Sequence, residues 1–150
     1  MYFIGIAIFL LGIFGSMSLK GFSLTLLVVP SAIVINFVPI IAVLTITRSF
    51  QAFGNGLKAT MFSKKSISED MRGKAASLFR FLSRITVIMS IFGFLFGVVT
   101  ILSNLNDFDK MGHALKAALV TPIWGLTLVA VVFEPVVFIL KKRDTKIPPK

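Results

Sequence analysis

Leu119 to Pro135 reads LVTPIWGLTLVAVVFEP. The stretch is apolar enough to cross a bilayer, yet it carries Thr121-Pro122, then Gly125 one turn on, then Glu134-Pro135 near its end. A helix that faces only lipid needs none of these. Prolines and small residues in a membrane helix mark close packing, a kink or a lined cavity. A glutamate is expensive in hydrocarbon, so Glu134 should have a protein-side reason to be there. The stretch reads as the working wall of a membrane assembly.

The rest of the chain sets the class. It has 150 residues, 56% of them hydrophobic, with 16 Phe and a mean hydropathy of +0.94. A soluble domain of this size carries more charge and fewer apolar runs. The expected fold class is an all-α integral membrane protein with four transmembrane helices and no separate soluble domain. The chain has no cysteine and only one histidine, His113, which excludes disulfides, thiolate metal sites and a His-cluster metal site within one chain. No cofactor is expected. There is no nucleophile–base constellation and no Gly-rich phosphate loop, so the chain does not read as an enzyme.

The net charge of +10 invites a nucleic-acid reading, but its distribution argues against one. Thirteen of the 16 Lys and Arg lie either between Arg48 and Arg84 or in the tail from Lys141; Lys20, Lys110 and Lys116 are the exceptions. That asymmetry is the positive-inside pattern, which places both basic regions and both termini in the cytoplasm. Anionic lipid headgroups are the expected partners of most of these charges.

Along the chain, the first helix is expected over residues 2–17 and a turn over Ser18–Phe22. The second helix is expected over 24–46, with Pro30 near its start and Pro39 as a kink. Asn36 lies at depth and reads as a helix–helix hydrogen bond. A cytoplasmic connection follows over 48–84. Gly54-Asn55-Gly56 should interrupt helix there. Ser66 with Glu69 three residues on resembles a capping box. Ile67, Met71, Ala75, Leu78 and Leu82 fall on one helical face over about 67–84, suited to rest on the membrane or on a neighbouring subunit. The third helix is expected over 85–102, an outer turn over Asn104–His113, the fourth helix over 114–140, and a basic tail over 141–150. Trp124 falls near mid-helix and reads as a packing residue.

The short outer turn makes the third and fourth helices an antiparallel hairpin. Counting outward from it sets Gly93 opposite Gly125, Gly97 opposite Thr121, and Arg84 opposite Glu134. The small residues would let the backbones approach, and Arg84 would neutralise Glu134. No Asp, Glu, Lys or His lies at the middle of any expected span. A proton relay through hydrocarbon needs such a group, so another chain would have to supply it. Thr86, Ser90, Thr100 and Thr121 offer hydroxyls along a path.

These residues resemble the MotA/TolQ/ExbB proton-channel family, most closely its MotA branch. Gly5, Gly12, Gly15, Gly21-Phe22-Ser23-Leu24, Leu27, Pro30 and Val34-Ile35 are similar to the family's first two helices. Leu57-Lys58-Ala59 and Phe62 are similar to the segment after them. The run from Phe92 to Val98 resembles the third-helix signature. The run from Ala118 to Leu126, with Pro135 ten residues after Gly125, resembles the fourth. The resemblance implies a ring of five subunits around two copies of a single-span partner with an intramembrane aspartate, in a bacterial inner membrane. Proton or sodium flow at the ring–partner interface would drive motion of the partner, as in a flagellar stator. The hairpin would line the inside of the ring. Thr121, Pro122, Gly125, Gly93, Phe94 and Gly97 would then sit on the ion path or face the partner, with Glu134, Pro135 and Arg84 as a gate or charge pair.

Three departures stand against this pattern. The connection between the second and third helices is short, where MotA carries a long rotor-contacting segment. The family's fourth-helix threonine falls at Pro122, one place after Thr121. Phe94 stands where the third helix often has threonine or alanine, and the third-helix proline of the MotA branch falls near Val87. A non-conducting scaffold of the same fold, or a TolQ/ExbB-like energiser of an outer-membrane process, is the alternative reading.

Overall fold

The computed structural model describes residues 2–19, 27–61 and 68–144. All secondary structure in them is helical: α1 (Tyr2–Leu19), α2 (Pro30–Ile46), α3 (Phe50–Met61), α4 (Glu69–Ser103), α5 (Phe108–Leu128), a π-turn (Val129–Phe133) and α6 (Glu134–Asp144). Two continuous stretches are long and apolar enough to cross a membrane, Glu69–Ser103 and Phe108–Lys142. A third is available if α2 and α3, which meet at a bend of 115°, form one broken span. The expected turn residues Lys20–Phe22, the start of the second helix at Leu24, the capping residue Ser66 and the tail from Thr145 lie outside the described residues.

The α4–α5 hairpin is the frame. Its turn is tight because Asp107 caps α5: the carboxylate accepts from the backbone N–H of Lys110 at 3.1 Å, and Asp109 adds a second acid in the first turn. Both carboxylates complement the helix dipole. The fourth helix was expected to begin at residue 114, but the cap starts it at Phe108. Gly112 and His113, taken as part of a turn, are helical.

Proline shapes the other end. Pro135 has no N–H for the carbonyl of Val131, and its ring would press on that carbonyl in a regular helix. The chain widens into the π-turn immediately before it, with the N–H of Glu134 bonded to the carbonyl of Val129. Pro30 stands in the first turn of α2, where a missing donor costs least, and Pro39 lies inside the same helix.

α2 ends in a left-handed cap. Arg48 has φ of 50°, its N–H bonds the carbonyl of Thr45, and the next N–H, from Ser49, reaches back to Leu44. This is the Schellman pattern with arginine where glycine is usual. It turns the chain into α3.

Gly54-Asn55-Gly56 does not break the helix, as its composition suggests it should; α3 runs through it. Gly56 is needed for approach instead. A β-carbon there would stand 2.7 Å from the ring of Phe79 and 3.2 Å from Ala75. α3 thus lies directly on α4. The amphipathic face of α4 is accordingly spent inside the chain. Ala75, Leu78, Phe79 and Leu82 are buried with Ile40, Leu44, Ala59, Phe133, Val136, Val137 and Leu140. Phe79 stacks on Phe53 at 5.0 Å and tilts against Phe133 at 6.0 Å. The expectation that this face rests on lipid or on a neighbouring subunit is corrected: of its described residues only Met71 is exposed, and Ile67 lies outside the described residues.

Candidate functional site: a polar seam between the long helices

Ser83, Thr86, Ser90, Gly93 and Gly97 recur on α4 at alternating intervals of three and four residues, so they form one stripe. Ala114, Ala118, Thr121 and Gly125 form the matching stripe on α5. With so little side chain between them the backbones close. A β-carbon at Gly97 would fall 2.6 Å from Cα of Ala118; one at Gly93 would overlap Thr121, and one at Gly125 would overlap Ser90 Oγ. Such small-residue contacts drive helix association where lipid removes the usual hydrophobic advantage.

The register differs from the one expected. Gly93 meets Thr121 rather than Gly125, and Gly97 meets Ala118 rather than Thr121. The hairpin turn is Asn104–Asp107, not Asn104–His113, and a shorter turn draws the partner residues three or four places earlier. Beyond the π-turn, which takes up an extra residue, the offset shrinks to one. Glu134 therefore receives a hydrogen bond from Ser83 Oγ at 2.9 Å, and the expected Arg84–Glu134 pair is not formed. The side chains of Arg84 and Glu134 are both exposed.

α2 contributes the centre of the site. Asn36 is fully buried. Its Nδ2 donates to the carbonyl of Ala32 at 2.8 Å and to that of Thr121 at 3.1 Å, which is the interhelical bond expected of it. Its Oδ1 accepts from Ser90 Oγ at 2.9 Å. Ser90 Oγ also lies 2.7 Å from the carbonyl of Thr86, so one proton is divided between two acceptors. Thr121 Oγ1 turns back to the carbonyl of Ala117 at 2.7 Å. Thr86 Oγ1 is buried and has no hydrogen-bond partner. The seam is thus a run of hydroxyls from Glu134 through Ser83, Thr86 and Ser90 to Asn36, closed at the far end by glycine and alanine. Trp124 locks its side: Nε1 donates to the carbonyl of Leu27 at 2.9 Å, tying α5 to the segment just before α2.

The candidate residues divide into two groups. Gly93, Thr121 and Gly125 are enclosed among α2, α4 and α5. They pack within the chain, and Thr121 and Gly125 are buried there. Phe94 is exposed, at the edge of the hairpin, while Pro122, Gly97 and Pro135 are half-buried. Leu115, Leu119, Ile123 and Leu126 form an exposed apolar ridge on α5. Asn36 and the hydroxyls were legible in the sequence. Ser83 as the partner of Glu134 was not, although its place on the small-residue stripe was the available signal. Among the described residues no group of three or more His, Asp or Glu is placed to hold a metal ion.

Helices of this length and apolarity define a membrane-embedded helical protein. Comparison with known proteins adds a direction. The chain is similar to Motility protein A of Borreliella burgdorferi, at 31% identity over 71 residues, which cover 47% of this chain and 27% of that protein. The match thus spans little more than a quarter of that relative's length. No family model matches the chain, and no solved structure does.

Proposed function

We propose that the chain is a stator-like subunit of an ion-driven membrane motor. In this reading it crosses the membrane four times, with α1 and α2 on the outside and the α4–α5 hairpin inside a homo-oligomeric ring, five copies enclosing two copies of a single-span partner. The observation that carries the reading is the hairpin itself. Two long apolar helices are pressed together through glycine and alanine, and neither has a titratable group between Ile85 and Ser103 or between Ala117 and Phe133. The partner's intramembrane acid supplies the missing group. The likeness to a motility protein supports the same direction.

The buried seam shifts the proposed ion path. Thr121 and Ser90 are occupied inside the subunit, so ions pass along the exposed flank of the hairpin, with Phe94 and the Leu119–Ile123–Leu126 ridge toward the partner. Glu134 and Ser83 stand at its cytoplasmic end. The test is the mass of the complex extracted intact from its own membrane. Five copies with a substoichiometric single-span chain is the expected result; a monomer or a symmetric dimer overturns the ring.

One observation favours a second reading. The polar groups of the seam are consumed by intrachain bonds. A non-conducting scaffold of the same fold would look the same, and ion flux separates the two.

A further inference from the structure

At the bend between α2 and α3 an open cleft of about 760 Å³ runs against the first turns of α4. Its volume lies within the usual range for ligand sites. Its lining mixes two chemistries: Arg48, Ser49, Asp70 and Lys74 are charged or polar, and Met71, Leu78 and Phe81 are apolar. Phe81 is 48% exposed, four residues before the uncharged part of α4 begins at Ile85. The left-handed cap fixes the backbone of Arg48 at this edge. Lys74 is bridged to Asp70 at 2.6 Å, but the side chains are 68% and 74% exposed. Such a pair holds its partners weakly and leaves the ammonium able to take a second acceptor. With Asp70 included, the cleft still carries one more positive than negative charge.

Cations beside a half-exposed aromatic ring, at the level where an apolar helix becomes polar, match an anionic group joined to hydrocarbon. We propose that this cleft binds the phosphodiester headgroup of an anionic phospholipid, with Arg48 and Lys74 on the phosphate and the upper acyl chain along Phe81. The site depends on the chain lying in a membrane, not on its being a motor subunit. Asp70 opposes the headgroup, which gives the proposal a sign that can be checked.

The experiment reconstitutes the full chain in phosphatidylcholine vesicles containing a minor fraction of phosphatidylglycerol, extracts it in mild detergent, and counts retained phosphatidylglycerol by native mass spectrometry. Retention is expected to fall about fivefold for each of Arg48→Gln and Lys74→Gln, the fold-change for roughly 1 kcal/mol per basic residue at a lipid surface. It is expected to rise for Asp70→Asn. The double variant Lys58→Gln/Arg80→Gln, which removes two exposed charges outside the cleft, is expected to retain the lipid. Helicity measured on every variant confirms that it is folded. Absence of selective retention by the unaltered chain overturns the proposal. So does an equal loss in Arg48→Gln, in Lys74→Gln and in the Lys58→Gln/Arg80→Gln double variant, which would mean charge attraction without a site. Displacement of the lipid by inorganic phosphate at low concentration would assign the cleft to a soluble phosphate and overturn the lipid assignment.

Discussion

Gly125 and Ser90 meet across the hairpin so closely that no β-carbon fits between them. The contact sets the distance between α4 and α5 at the level of Asn36, and Asn36 Oδ1 itself lies 2.6 Å from where a Gly125 β-carbon would stand. Packing and the polar centre are therefore one feature.

Gly125→Ala is expected to force the helices apart, and Gly97→Ala to do the same against the backbone of Ala118, which cannot rotate away. Overpacking of this kind costs about 1–3 kcal/mol. Gly112 in α5 has open space around it. Gly112→Ala is expected to gain several tenths of a kcal/mol, up to about 1, from helix propensity. Thermal unfolding in detergent measures all three, and equal effects at Gly125 and Gly112 would remove the seam from the account.

Asn36→Leu is expected to cost about 1–2 kcal/mol, because Thr121 and Ser90 lose their partner in an apolar surrounding. A double-mutant cycle with Ser90→Ala should show coupling, since the two share one hydrogen bond. Additive losses would show that the Ser90 bond to Asn36 contributes nothing.

Arg48 holds a left-handed backbone that costs a residue with a β-carbon about 1 kcal/mol or more. In detergent free of anionic lipid, Arg48→Gly should raise the melting temperature and Arg48→Val should lower it. The opposite order would mean that α2 does not end in this cap.

Asp107 is held below the usual carboxylate range by the side chain of Lys110 and then by its backbone N–H. A lowered folded-state pKa gives stability that is present above the unfolded-state value and lost as pH falls through the folded one. Acid titration should therefore loosen the α4–α5 turn below the ordinary carboxylate range. Asp107→Ala should remove that part of the pH dependence, and hydrogen exchange at Met111 and Lys110 reads it directly.

Much of this was legible in the chain itself. The hairpin follows from two apolar runs joined by a short polar turn, and Asn36 as an interhelical donor follows from one amide at depth. What was illegible has specific physical causes. The cap at Asp107 moved the start of α5 and so shifted the glycine register. Gly56 looked like a helix breaker because its contact, Phe79, is distant in sequence. Ser83 displaced Arg84 as the partner of Glu134 because the shorter hairpin turn shifted the register, and the π-turn before Pro135, a local response to a proline, takes back only part of that shift. The face of Ala75, Leu78 and Leu82 looked membrane-bound because periodicity tells which side is apolar, not what covers it.

Ion flux tests the central claim most directly. The chain would be reconstituted with the single-span partner proposed above, and proton and sodium movement followed under an imposed membrane potential. Flux of one of these ions is expected that requires both chains and disappears when the intramembrane aspartate of the proposed partner is replaced by asparagine. An assembled complex that passes neither ion would contradict it.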